Sequence, residues 1–203
     1  MKMNPFSGFS AVHLLFGIAL GCCCGLSMAS YCLTLAAQFP WPLMLLITLA
    51  ALLCLALALI FQLLAHELGH LLFGLLSGYR FVSFRIGPRL LAQCGLVCRC
   101  VMCPPEPDGD GAFPITLYSL GGIILNMLFG LFFLWLYFIS GGAMLLTLFA
   151  LPAGILGLGL GLMYALPLGQ SDGYNALWLS DDEQALYAHW LRLREDAAQE
   201  QQV

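Results

Sequence analysis

Charge is what this sequence has least of. Only 9% of its 203 residues are Asp, Glu, Lys or Arg, while 61% are hydrophobic. Soluble domains average about 25% charged and about 45–50% apolar residues. This composition excludes an ordinary water-soluble domain and places the chain in lipid. Basic patches are also missing, which removes the electrostatic footprint of a nucleic-acid-binding protein. The seven Lys and Arg residues are scattered, and the net charge of −4 comes mainly from acidic residues in the tail and the 104–112 loop.

What is present is long apolar sequence. Four stretches, near 10–37, 43–77, 113–139 and 142–166, exceed the roughly 20 helical residues needed to cross a hydrocarbon core. The sequence therefore predicts an all-α polytopic membrane protein of four transmembrane helices. A signal peptide is the competing reading of the first stretch, because Lys2 precedes an apolar run with small residues. That run continues through Leu33 and Ala37, longer than a typical signal core. The second stretch exceeds one bilayer thickness, so its helix is expected to tilt or to project into water. No soluble domain is expected before the first span or after the last.

All seven basic residues fall on one side of a four-span arrangement. Lys2 precedes span one, Arg80, Arg85, Arg89 and Arg99 lie between spans two and three, and Arg192 and Arg194 follow span four. The connections near 38–42 and 140–142 carry none. The positive-inside rule then makes both termini and the 79–112 segment cytoplasmic, in a multi-pass protein of the cell membrane.

That topology argues against disulfides among the nine cysteines. Cys94, Cys98, Cys100 and Cys103 would face the reducing cytosol. Their spacing lacks a standard paired CxxC arrangement, although a second metal site there stays open. Cys22, Cys23, Cys24, Cys32 and Cys54 lie in predicted spans and read as packing material.

Between spans two and three the pattern changes. Residues Tyr79 to Ile86 alternate polar with apolar or aromatic side chains, then meet Gly87-Pro88 and a second apolar run reaching Met102. This predicts a small β-hairpin or sheet at the membrane surface, with a folded loop as the plainer alternative. Residues 104–111 read as a water-exposed connection. In the tail, Ser180 and Glu183 form a capping-box pattern before Leu186, Trp190 and Leu193, which predicts an amphipathic helix ending near Ala198. His189 on it reads as a surface histidine.

The chemistry is concentrated in His66-Glu67-Leu68-Gly69-His70. On a helix, residues four apart share a face, so His66 and His70 can bind one zinc while Glu67 stands close enough to deprotonate a water held there. The setting strengthens the motif. Each ionisable side chain within a span costs about 2.5–3.5 kcal/mol on insertion scales, so three in five residues imply a metal or a proton-handling task. A hydrogen-bonded polar cluster between helices is the structural alternative. A catalytic zinc site needs a third protein ligand and an open fourth position. After His70, the only acidic residue inside or bordering a span is Asp172, which reads equally as a ligand or as a turn or helix-cap residue.

In these motifs the chain resembles the site-2 protease family of intramembrane zinc metalloproteases, peptidase family M50. The HExGH form is met by His66 to His70, a Gly-x-x-x-Asn element by Gly122 and Asn126, and a Pro-x-x-x-x-Asp-Gly element by Pro167, Asp172 and Gly173. The resemblance implies one zinc ion per chain, held by His66, His70 and Asp172. It makes Glu67 the general base and gives Asn126 a hydrogen bond to substrate or to the developing oxyanion. It also implies that the β region, through residues such as Phe81, Val82 and Phe84, holds an extended substrate. The organisation it implies is an accessory transmembrane helix in 1–42, a catalytic membrane core in 43–178 with its β region at 79–102 and a cytoplasmic loop at 104–112, and a helical tail in 179–203.

Three positions depart from the family pattern. Ile123 replaces the proline that usually follows the glycine, Tyr164 replaces an asparagine three residues before Pro167, and Ser171 replaces the leucine that often precedes the aspartate. None removes a ligand or the base. No PDZ or CBS domain is expected within these 203 residues. The expected activity is endopeptidase cleavage of membrane-embedded or membrane-tethered proteins or peptides, for regulated intramembrane proteolysis or peptide-precursor processing. The expected partners are such a substrate and the lipid bilayer, with no nucleic acid; the sequence identifies no regulatory partner. The alternatives are a prenyl-protein-endopeptidase-like metalloprotease, which usually takes a glutamate as third ligand, and a non-proteolytic zinc-containing membrane adaptor, which has no need of Glu67.

Overall fold

A computed structural model describes residues 11–88, 96–107, 113–141, 143–167 and 171–201. The elements run α1 (Ala11–Ala36), α2 (Trp41–Leu76), β1 (Arg80–Pro88), β2 (Leu96–Cys103), α3 (Ile115–Ile139), α4 (Met144–Ala165), α5 (Asp172–Leu177), a 3-10 turn (Leu179–Asp181) and α6 (Glu183–Gln201). The first four helices are long and apolar enough to cross a membrane, so the chain is a membrane protein of four apolar helices with a two-stranded sheet between the second and third. Their outward side chains, among them Leu15, Leu46, Leu53 and Phe138, are apolar and exposed, as a lipid-facing surface requires.

At 36 residues α2 is about 54 Å long, well beyond a hydrocarbon core of about 30 Å. Pro40 and Pro42 suit its start, where no intrahelical donor is needed. Gly78 stops it. At φ 82° this residue takes the left-handed conformation, and the next amide, Tyr79 N–H, donates back to Gly74 O at 2.9 Å. The chain therefore leaves α2 directly into β1.

β1 and β2 pair antiparallel, from Arg80 opposite Cys103 to Pro88 opposite Leu96. A register shift between Phe81 and Ser83 leaves Val82 as the extra, bulged residue. The alternating pattern of 79–86 is thus a true β region. Of the four cysteines considered as a second metal site, Cys94 and the side chain of Cys98 lie outside the described residues.

The fold divides into two compact units, one comprising Leu63–Leu125 and Tyr164–Val203, the other Phe9–Gln62 and Asn126–Met163. In the second unit Cys24, Ala58, Phe133, Ala150, Ala153 and Leu156 form a core, and Gln62 Nε2 donates to Ala153 O at 2.8 Å. The glycines of α4 serve close packing there. A Cβ on Gly157 would meet Gly130 Cα at 2.6 Å, and one on Gly154 would meet Leu134. Asn126 belongs to this unit and is wholly buried.

The first unit has its own core of Tyr79, Cys100, Met102, Phe113, Ile115, Leu179, Leu186 and Trp190. Here α6 packs on β1 and β2 instead of standing free. Its start differs from the sequence expectation. Residues 179–181 form the 3-10 turn, and Asp182 Oδ1 accepts the Ala185 N–H at 3.0 Å. Both serine and aspartate are good caps, and the tight turn simply moves the helix start two residues along. The helix runs three residues past Ala198, to Gln201.

Candidate metal centre

The candidate site lies entirely within the first unit. Its scaffold is a backbone contact between α2 and α3. A Cβ on Gly69 would collide with Gly121 O, and one on Gly121 would come within 2.5 Å of Gly69 O. Two bare glycines therefore let the helix backbones touch, and the turn of α2 carrying His66 and His70 lies directly against α3. Gly122 completes the fit. Its missing Cβ would fall 2.6 Å from His66 Cε1 and Nδ1 and 2.8 Å from His70 Nε2, so only glycine leaves room for both rings.

Each imidazole is further fixed. His70 Nδ1 lies 2.9 Å from Tyr118 O, which makes it the protonated nitrogen and leaves the Nε2 lone pair facing inward. The His66 ring stacks on Tyr164 with centroids 4.2 Å apart. Both histidines are buried, at 6% and 7% exposure.

The third group arrives from about one hundred residues downstream. After α4 the chain turns at Leu166, and Ser171 clasps the turn. Its hydroxyl donates to Leu166 O at 2.6 Å and accepts the Tyr174 N–H at 3.2 Å, capping α5. Gly173 presses against the Ala165 carbonyl, where a Cβ would not fit. Ser171 thus takes the capping role that the sequence left open for Asp172, and Asp172, as first residue of α5, points at the histidines.

The result is a nearly equilateral triangle. Asp172 Oδ2 lies 3.1 Å from His66 Nε2 and 3.4 Å from His70 Nε2, and the two nitrogens are 3.2 Å apart. Zinc bonds of about 2.0–2.1 Å in tetrahedral geometry imply ligand separations of about 3.3 Å, so this triangle fits the ion without rearrangement. The donor set, two imidazoles and one carboxylate, is one that zinc accepts. Among the described residues no other group of His, Cys, Asp and Glu side chains gathers this way.

Glu67 stands beside the triangle, half-buried, and its Oε2 accepts the backbone N–H of Cys100 in β2 at 2.7 Å. The structure therefore brings together His66, His70 and Asp172, with Glu67 next to His66 in the chain and turned to β2. Phe81 is exposed on β1, Val82 is the bulge, and Phe84 packs against the core of the first unit. Sequence reasoning missed the roles of Tyr118, Ser171 and Cys100. Two act through backbone atoms, which carry no signature. The Ser171 cap was detectable, since Ser three residues before an amide in need of an acceptor is an N-cap pattern. Tyr164 stood out only as a departure from the family pattern. Compared with protein-family models, with curated proteins and with solved structures, the chain matches none.

Proposed function

We propose that the chain is an intramembrane zinc metalloendopeptidase, held to this reading above all by the triangle of His66 Nε2, His70 Nε2 and Asp172 Oδ2 at 3.1–3.4 Å beside Glu67. His66, His70 and Asp172 would hold the metal. When bound, zinc supplies a Lewis acid that acidifies a water and polarises the scissile carbonyl. Glu67 then takes the proton as the water oxygen bonds to the carbonyl carbon, and passes it to the amide nitrogen as the C–N bond breaks. Gly122 and Tyr164 keep the His66 ring in place through this cycle, and the Tyr118 carbonyl keeps His70 in the tautomer that a ligand needs.

His70 lies six residues before the end of α2, about 9 Å along the helix, and His66 about 15 Å. The place of both histidines on a long apolar helix supports a substrate that is itself membrane-embedded or membrane-tethered. Phe81, Val82 and Phe84 of the β region are the residues we assign to its extended segment. The assisting role of Asn126 rests on the sequence pattern, as does the cytoplasmic placement of both termini. Resemblance to the site-2 protease motifs supports the same assignment.

The test separates base from ligand. Glu67→Gln should abolish cleavage and keep zinc, whereas Asp172→Ala should lose zinc and cleavage together. Zinc content of the purified variants, with proteomics of membrane fragments from cells carrying each one, reads both. Cleavage by Glu67→Gln at the wild-type rate would overturn the mechanism, and full zinc occupancy in Asp172→Ala would remove the third ligand.

A further inference from the structure

We infer that the backbone N–H of Cys100 is a positioning group for Glu67, and that α6 holds it in place, so the tail helix is part of the catalytic apparatus. The inference rests on the proposed peptidase reading for its consequence, and on geometry for the contact itself. Cys100 sits opposite Phe84 in the ladder, yet its N–H donates to Glu67 Oε2 at 2.7 Å. In an antiparallel pair, a residue whose N–H points away from its partner strand lies at a non-hydrogen-bonded position, with that N–H on the outer edge. The edge of β2 therefore faces the catalytic helix.

Met102 extends the same contact. A Cβ on Gly74 would meet Met102 Sδ at 2.6 Å, so β2 lies along α2 from Gly74 up to Glu67. One carboxylate oxygen is held by the strand. In the proposed reaction the other, Oε1, would take the proton.

What fixes the strand is α6. Leu186 and Trp190 share one buried cluster with Cys100 and Met102, and Trp190 Nε1–H donates to Pro105 O at 2.8 Å, just past β2. Arg99 pairs with Asp196, Ser83 donates to Glu200 at 3.1 Å, and Arg194 pairs with Glu106. The two ion pairs are exposed and contribute little, so the buried Trp190 anchor carries the link.

The experiment exploits the edge position. Proline is tolerated at a strand edge, so Cys100→Pro removes this one N–H and leaves the ladder to β1 intact, while Cys100→Ala keeps it. The probe is a dye-labelled transmembrane peptide reconstituted with zinc-loaded protein in lipid vesicles. Cys100→Ala, which keeps the N–H, should retain at least ten times the kcat of Cys100→Pro. Cys100→Pro should lose tenfold or more in kcat, with KM and zinc content unchanged. If the proline variant does not fold, Trp190→Ala should show the same kcat loss at full zinc occupancy. Independently of any cleavage, hydrogen exchange at the Cys100 amide should quicken tenfold or more in Glu67→Ala and in Trp190→Ala. Unchanged exchange in Glu67→Ala, or wild-type kcat in a folded Cys100→Pro, would overturn the inference. A wild type that cleaves nothing, with exchange still governed by Glu67, would refute the peptidase reading and support the contact.

Discussion

Gly122 offers the sharpest test of the metal centre, because adding one methyl group there reaches both imidazoles without touching a ligand atom chemically. In Gly122→Ala the new Cβ would lie 2.6 Å from two atoms of the His66 ring and 2.8 Å from His70 Nε2. Non-bonded carbon and nitrogen atoms settle at about 3.5 Å, so the rings must retreat by roughly 0.7–0.9 Å. A zinc site tolerates ligand displacements of about 0.2 Å. Relieving such overpacking typically costs about 1–3 kcal/mol, and each 1.4 kcal/mol is about tenfold in affinity, so zinc binding should weaken about 5- to 150-fold. Competition against a chelating dye in detergent measures this directly. Gly121→Ala is the contrasting variant. Its methyl meets the Gly69 carbonyl at 2.5 Å and Phe73 Cβ at 2.8 Å, forcing α2 and α3 apart. That variant should melt at lower temperature even without metal, whereas metal-free Gly122→Ala should melt close to wild type. If Gly122→Ala binds zinc as wild type does, the histidines do not converge beside α3 as described and the site must be redrawn.

Two further outcomes follow from the same unit. Ser171→Ala removes an N-cap and the hydrogen bond to Leu166 O, which should cost about 1–2 kcal/mol of stability and weaken zinc several-fold, while Ser171→Thr should restore much of both; zinc binding equal to wild type in the alanine variant would show that the clasp does not place Asp172. His189 lines a cavity of about 480 Å³ with Arg99, Tyr174, Arg192 and Asp196, where burial and the Arg192 guanidinium push its pKa down to about 4 against the opposing pull of Asp172 and Asp196. The folded state then stays unprotonated at His189 while the unfolded chain takes a proton near pH 6.5. Stability should therefore fall as pH drops from about 6.5 to 4, by up to about 3 kcal/mol. His189→Gln should flatten that part of the melting profile, and a His189 resonance titrating near pH 6.5 would contradict the assignment.

Much of this protein was determined by sequence alone, for physical reasons that are local. An apolar run of more than 20 residues has one hydrogen-bonded solution in lipid, the helix, so the four spans follow from composition. Two histidines four apart on a helix share a face whatever surrounds them, so the paired ligands follow from spacing. The alternation of 79–86 likewise has a period of two in any context, and it became β1. Asp172 was singled out by scarcity, since it is the sole carboxylate in the sequence from the start of the third span at 113 to Ser180. Only the tertiary structure decided that it turns toward the histidines instead of capping α5, because that depends on Ser171 clasping Leu166 and on Gly173 fitting under Ala165. The same holds for the contact of Gly69 with Gly121, the space beside Gly122 and the Cys100 amide on Glu67. These are meetings of backbone atoms from segments far apart in the chain. Backbone donors and acceptors are the same at every residue but proline, so their pairing leaves no mark in the order of side chains.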